Sequence, residues 1–532
     1  MLTNLQSTLS WSLCLLLLLS CQNTEEYTIE FLPKGIGIEE DRFVDDQGRH
    51  IILNGINVVS KSKADGYIFD GGTNFYKKLR NLGINCIRFI IIWDRLEPSP
   101  GQYNKAYLQE IDACIEQAGN AGIFVVLDMH QDLFSVKYSD GAPEWATLDE
   151  GKQHTTGAIW SDAYMLSEAV QTSFDNFWEN RPAPDGIGLQ DHYAALWQHI
   201  AKRYKDNPTV IGYDLMNEPF PGSSALQSTL TLLQAYGQLH ADLTGVQLTE
   251  EKLGELWANE EKRMGVLEVL STKDNYDRVF STLYPLNSLF ETEHLQPMYQ
   301  KVSHAIRAVD QQSILFLEHS YFSNTGVESS IRRVTLPNGN EDPLVAYAPH
   351  GYDLVTDTKA VAAASDERVA YIYNQIKETG SRLNMPIWLG EWGAFYGNSE
   401  SVVPAAKNAI SLIEEHLFGQ AYWSYGKGTE DLVYYKNIIT RTYPSATNGE
   451  LLVYRNDMEN RTFSMSWQEQ GDDLQHTIVY CPRISAIDAL TLTGNQSYHI
   501  EELPEGDAGY VIIAPEEGSV SRELNIAFKT SK

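Results

Sequence analysis

The sequence predicts an α/β chain, a (β/α)8 TIM barrel over residues 30–434 followed by a C-terminal antiparallel β-sandwich domain over residues 435–532. Three observations carry that expectation. From about residue 30 to 430, eight short apolar runs alternate with amphipathic stretches of helical period, the count of a closed parallel barrel. Two of those runs end on a glutamate. Beyond Tyr435 the helical period stops, and short alternating runs such as Thr477–Cys481 and Gly509–Ile513 are separated by Asn-Gly, Gly-Asp, Gly-Asn and Glu-Gly turn signals.

In chain order, residues 13–19 form an apolar core too short to cross a bilayer. It runs into Leu-Leu-Ser-Cys, ending at Cys21, and then a polar stretch, so residues 1–21 read as a signal peptide. The tetrad is similar to a bacterial lipobox, which would leave Cys21 lipidated. Residues 1–20 contain no Lys or Arg, however, so an ordinary secretory signal is the competing reading. Both place the mature protein outside the cytosol, secreted or anchored through Cys21.

Barrel strands are expected at 51–59, 84–93, 123–130, 210–217, 314–319, 344–350, 387–391 and 420–424, from their aliphatic and aromatic content. Helices are expected at 74–82, 105–121, 191–204, 295–309, 367–379 and 403–418, from apolar positions at helical spacing. Two connections exceed the usual few residues. One spans 133–188 and holds Trp145, Trp160 and Trp178; the other spans 220–293 and holds Trp257. Both follow strands with polar ends, so both belong over the barrel mouth, where loops set substrate choice. No Pro- or Ser-rich linker precedes the sandwich, so the two domains are expected to pack directly on each other.

Asp and Glu number 71 against 40 Lys and Arg, a net charge of −31 that argues against nucleic acid as a partner. Neutral glycans and glycolipids stay compatible with it, because salt screens long-range repulsion. The 11 Trp and 29 Tyr offer flat faces for sugar rings. Cys14 and Cys21 fall in the signal, and Cys86, Cys114 and Cys481 read as small buried hydrophobes rather than a disulfide framework. No Cys/His cluster has metal-ligand spacing, so neither a metal nor a cofactor is expected.

Residues 209–219 read Thr-Val-Ile-Gly-Tyr-Asp-Leu-Met-Asn-Glu-Pro, and residues 386–393 read Pro-Ile-Trp-Leu-Gly-Glu-Trp-Gly. Each is a strand that delivers a carboxylate to its end. Hydrolysis of a glycosidic bond with retention needs two carboxyl groups about 5–5.5 Å apart, one protonated and one ionised. Glu218 is the expected general acid/base, its carboxyl raised by the neighbouring charge of Glu391, and Glu391 the expected nucleophile. An ion-paired rim carboxylate is the plain alternative for either alone. Asn217 is placed to hold the hydroxyl next to the reacting carbon. Arg88 ends the apolar part of the second strand, where a fixed cation would keep Glu391 ionised; a structural ion pair is its alternative. His130 and Asp132 end the third strand, with Asp128 on the same side by alternation. His350 and Tyr352 end the sixth, where a phenol can bond the nucleophile. Trp423 closes the eighth as a sugar platform, and Lys61 follows the first as a donor to sugar hydroxyls or a solvated loop lysine.

Asn217-Glu218-Pro219, Gly390-Glu391-Trp392-Gly393, the Arg88 strand, His350-Gly351-Tyr352 and Trp423 together resemble glycoside hydrolase family 5. Residues 54–61, Asn-Gly-Ile-Asn-Val-Val-Ser-Lys, and 127–132, Leu-Asp-Met-His-Gln-Asp, narrow the resemblance to its endoglycosylceramidases and extend it over the mature chain. Such enzymes cut the β-linkage between the intact oligosaccharide and the ceramide of a glycosphingolipid. The resemblance therefore implies a glycolipid substrate met at a membrane or micelle surface, and a monomer. It also implies that Lys61, His130, Asp132, Asn217, Tyr352 and Trp423 hold the sugar nearest the cut, with Trp178 of the long third loop joining them. A glucosylceramidase, or a β-glucanase or mannanase of the same family, shares the Met-Asn-Glu-Pro motif and stays open as the alternative.

Overall fold

The computed structural model describes residues 32–529 apart from 70, 73, 158, 357–362, 396–399, 470–474, 505 and 519, and apart from the side chains of 257, 258 and 260. The expected signal segment with Cys21, and the Trp257 side chain, lie outside the described residues.

Three short strands open the described chain: β1 (Ile36–Glu39), β2 (Arg42–Asp45) and β3 (His50–Ile51). The barrel follows with β4 (Asn54–Val58), β5 (Cys86–Ile92), β6 (Phe124–His130), β7 (Val210–Asp214) and β8 (Ile314–Leu317). It is completed by β9 (Val345–Tyr347), β10 (His350–Gly351), β11 (Trp388–Gly393) and β12 (Gly419–Trp423). All pair in parallel, in the order β10-β11-β12-β4-β5-β6-β7-β8-β9. The break between β9 and β10 is internal to one strand, interrupted at Ala348 and Pro349. β9 pairs with β8, β10 pairs with β11, and Tyr347 bridges to Ile387, so these nine segments fill eight barrel positions and close the ring. Every residue of β4, β5, β7 and β8 is buried, the signature of parallel strands covered on both faces.

The eight expected strands all form, most within a few residues of their expected bounds. β7 is the informative exception, ending at Asp214 rather than Asn217. Glu218 adopts a left-handed backbone with φ of 43°, which an extended strand does not accommodate. The long third connection folds into the helices Asp162–Leu166 and Glu168–Trp178. The fourth carries five helices between Ala225 and Phe290.

The C-terminal domain is antiparallel. Its strands are β13 (Tyr443–Thr447), β14 (Glu450–Asp457), β15 (Thr462–Glu469), β16 (Thr477–Cys481), β17 (Ile487–Leu492), β18 (Tyr498–Glu502), β19 (Gly509–Ile513) and β20 (Val520–Phe528). They form a four-stranded sheet, β14-β15-β20-β17, and a seven-stranded sheet, β1-β2-β3-β13-β16-β19-β18. The second sheet contains a feature that sequence order conceals. Strands β1–β3, which the sequence reading groups with the barrel, join this sheet through β3, which pairs with β13, and so tie both ends of the described chain together. Buried polar contacts lock this domain onto the barrel. Glu414 accepts from Arg441 Nε at 2.8 Å and from Asn456 N at 2.9 Å, and Tyr443 and Tyr480 donate to Gly83 O and Asn81 O.

Candidate active site

The parallel register sets which side chains meet at the carboxyl ends of the strands. Asn57 of β4 lies opposite Arg88 of β5, Asp128 of β6 opposite Asp214 of β7, and His350 of β10 opposite Glu391 of β11. Arg88 is fully buried at the centre. Its Nη1 donates to Glu391 Oε1 at 2.6 Å and to Asn57 Oδ1 at 3.2 Å, and its Nε to Asp214 Oδ2 at 2.8 Å. Its Nη2 donates to Asn217 Oδ1 at 2.9 Å and Glu318 Oε1 at 2.7 Å, and lies 3.0 Å from Asp128 Oδ1. A planar five-donor fork serves this many acceptors; a lysine does not.

Glu391 receives Arg88 on one oxygen and the Tyr352 hydroxyl on the other, at 2.8 Å. Burial lifts its carboxyl above the ordinary value, and the His350 and Arg88 charges oppose that lift without cancelling it. The expected cation is therefore present, and burial outweighs it. Glu218 Oε1 accepts from Asn324 Nδ2 at 2.7 Å and lies 3.0 Å from His350 Nδ1. Ligand atoms of Glu218, His350 and Glu391 all lie within 4.8 Å of one another. Left-handed backbone in a glutamate costs of the order of 1 kcal/mol or more. It is held here by Glu318 Oε2, which accepts the Glu218 N–H at 2.7 Å, and by Gln131 Nε2, which donates to the carbonyls of Asn217 and Glu218.

A second group of residues forms a wall beside the pair. Lys61 is paired with Asp132 and lies 4.6 Å from the Trp423 ring centroid. The Trp423 ring stacks on His130 with an interplanar angle of 15°. His130 Nδ1 sits 2.8 Å from Asp128, and burial, with Lys61 and Arg88, holds the ring well below its ordinary value and so neutral. Its buried Nε2 makes no hydrogen bond among the described residues, with Asp132 Oδ2 3.9 Å away, which leaves it for a ligand hydroxyl. Trp178 is placed elsewhere. Its indole N–H donates to Phe220 O at 2.8 Å and its ring packs on Phe177 and Phe290, so it is committed to the aromatic core. The tryptophan of the same loop that reaches this wall is Trp160, 42% exposed, with Lys61 Nζ 6.0 Å from its ring centroid.

Ten of the eleven sequence-predicted residues thus converge, and Trp178 does not join them. The structure adds Gln131, Asp140, Asp214, Glu318 and Asn324. Glu318 had a signal, since it directly follows the apolar run Ile314–Leu317, as Glu218 and Glu391 follow theirs. Asn324, in the short turn Tyr321–Thr325, had none. Among the described residues, three acid or acid/histidine triads bring side-chain polar atoms within 4.8 Å of one another: Glu218–His350–Glu391, Asp128–Asp214–Glu318 and His130–Asp132–Asp140. In the second, Arg88 pairs with Asp214, Asp128 and Glu318, and in the third Lys61 pairs with Asp132. Beside Tyr352 lies a small, largely apolar recess of about 40 Å³, lined by residues including Val355, Val369, Tyr373, Phe395 and Ala409.

Residues 44–429 match the family model described as cellulase (glycosyl hydrolase family 5), and residues 441–520 match that of the glycoside hydrolase family 5 C-terminal domain. An endoglycoceramidase of Cyanea nozakii is 34% identical over 216 residues, 35% of this chain and 41% of that relative. The chain thus aligns with about two fifths of that relative's length. Endoglycoceramidase I of Rhodococcus hoagii is 23% identical over 421 residues, 76% of this chain and 72% of that protein. In fold, the chain is similar to endo-glycoceramidase II from Rhodococcus sp. in its ganglioside GM3 complex, with a TM-score of 0.68 at 23% identity, covering 91% of this chain and 99% of the other.

Proposed function

The chain belongs to glycosyl hydrolase family 5, and from that premise we propose that it is a retaining endoglycosylceramidase, releasing the intact oligosaccharide of a glycosphingolipid from its ceramide. The observation that carries the reaction type is the carboxyl pair. An oxygen of Glu218 lies within 4.8 Å of one of Glu391, in keeping with the carboxyl separation of about 5–5.5 Å of a retaining pair rather than the roughly 6.5–9.5 Å of an inverting one. Glu391 attacks the anomeric carbon while Glu218 protonates the leaving oxygen. Water, deprotonated by Glu218, then hydrolyses the glycosyl-enzyme.

The wall supports the substrate class. Trp423, His130, Lys61 and Asp132 line one sugar position, and the half-exposed ring of Trp160, 6.0 Å from Lys61 Nζ, offers a face for a second sugar. The substrate is met at a membrane or micelle surface by an extracytoplasmic enzyme, secreted or anchored through Cys21. Lactosyl-ceramide in detergent should yield intact disaccharide and ceramide, with glucosyl-ceramide cut at least tenfold more slowly, a difference of about 1.4 kcal/mol in transition-state binding. Trp160→Ala should erase most of that preference. Equal or better cleavage of glucosyl-ceramide would move the protein to the single-sugar glucosylceramidases.

A further inference from the structure

We propose that Glu318 is a positioning residue that, acting through His350 and the main chain of residue 218, fixes which oxygen of Glu218 carries the transferable proton. The inference rests on the reading of Glu218 as the acid/base and goes beyond it.

Glu318 is fully buried behind the pair. Its Oε2 accepts the Glu218 N–H at 2.7 Å, while its Oε1 accepts Arg88 Nη2 at 2.7 Å and lies 3.1 Å from His350 Nε2. Two N–H donors on one carboxyl group, with the Arg88 guanidinium among them and His350 beside it, favour the anion, against burial and Asp214, which lift this carboxyl to about 8. The charged groups facing His350 are Glu318 on the Nε2 side, and Glu218 at 3.0 Å and Glu391 at 3.6 Å on the Nδ1 side. Burial alone would depress the imidazole; Glu318, Glu391 and the bond to Glu218 outweigh it and hold the ring well above its ordinary value.

A doubly protonated ring has one consequence for Glu218. Nδ1–H becomes a donor to Oε1, which also accepts Asn324 Nδ2–H. An oxygen that already accepts two N–H groups is a poor site for a proton, so the acidic proton resides on Oε2, which no described hydrogen bond reaches. Take away the charge of Glu318, and the imidazole can release its proton. Nδ1 then accepts, and the Glu218 proton moves to Oε1, trapped against His350 and turned from the leaving group. Glu318 also holds the N–H of a residue in left-handed backbone, so it fixes the carboxyl in place as well as its tautomer.

The test compares two glycosides of one sugar that the wild type accepts, one with an alkyl and one with a 2,4-dinitrophenyl leaving group. Glu318→Gln keeps size and an acceptor for the Glu218 N–H but removes the charge. Its kcat/KM should fall at least about 30-fold on the alkyl glycoside, within the range general acid catalysis contributes, and under about threefold on the dinitrophenyl glycoside, which departs unaided. The basic limb of its pH profile on the alkyl glycoside should also move to lower pH. Asn324→Ala, which removes the other donor to Oε1, should show a smaller split of the same sign, and it decides the matter should Glu318→Gln not fold. Equal losses on both substrates, or none, would overturn the proposal. Wild-type enzyme that cuts neither glycoside would instead refute the glycosidase reading beneath it.

Discussion

Glu391 is 4% exposed among Arg88, Tyr352 and His350, and burial lifts its carboxyl further than the two cations lower it. The group works as an anion, so activity is present above its folded-state pKa and is lost as pH falls through it. The acid limb of kcat/KM, which reports the free enzyme, is therefore expected above the ordinary glutamate value of 4.5. A limb at or below that value would contradict the burial argument. At this scale, residues at strand ends were legible and those in turns were not. Glu218, His350 and Glu391 each follow an apolar run, so strand length locates them; Arg88, expected at the end of its strand's apolar part, instead stands third of seven residues in Cys86–Ile92, with four apolar residues after it. Asn324 donates to Glu218 from a turn with no periodicity to betray it. Glu318 carried the same strand-end signal as the two reactive carboxylates, and only the coordinates show that its oxygens are occupied by Arg88 and the Glu218 main chain. Trp160 and Trp178 lie in one loop, and sequence offers no rule for which indole turns to the sugar wall and which donates to Phe220.

Among the elements, eight parallel strands were legible because burial on both faces leaves near-continuous aliphatic runs. The pairing of β3 with β13 was not, because nothing local in residues 36–51 names a partner nearly 400 residues away. The same limit hid the contact between the helix Val403–Glu415 and the C-terminal domain, where Glu414, 2% exposed, holds Arg441 and Asn456. Glu414→Ala would strand the Arg441 guanidinium without its carboxylate. Removing one partner of a buried pair costs about 3–5 kcal/mol, so the variant should unfold at a clearly lower denaturant concentration, or lose the coincidence of barrel and C-terminal transitions. A change under about 0.5 kcal/mol would mean that the two domains are not coupled through this contact.

The whole molecule carries a net charge of −31, and its proposed substrate resides in a lipid surface. Repulsion from an anionic bilayer follows at low ionic strength, where the screening length is about 30 Å at 0.01 M. Replacing part of a phosphatidylcholine host with phosphatidylserine should slow glycolipid hydrolysis in vesicles, and added salt should restore it. Insensitivity to both would show that the acidic surface faces away from the membrane during turnover. The account depends most on the division of labour between two glutamates at opposite sides of one barrel mouth, and azide rescue tests it most directly. Glu218→Ala, given a dinitrophenyl glycoside, should still form the glycosyl-enzyme, accumulate it for want of a base, and release it to azide as a β-configured glycosyl azide. Glu391→Ala should give no β-azide, because no covalent intermediate forms. A β-glycosyl azide from Glu391→Ala would reverse the assignment and contradict the mechanism.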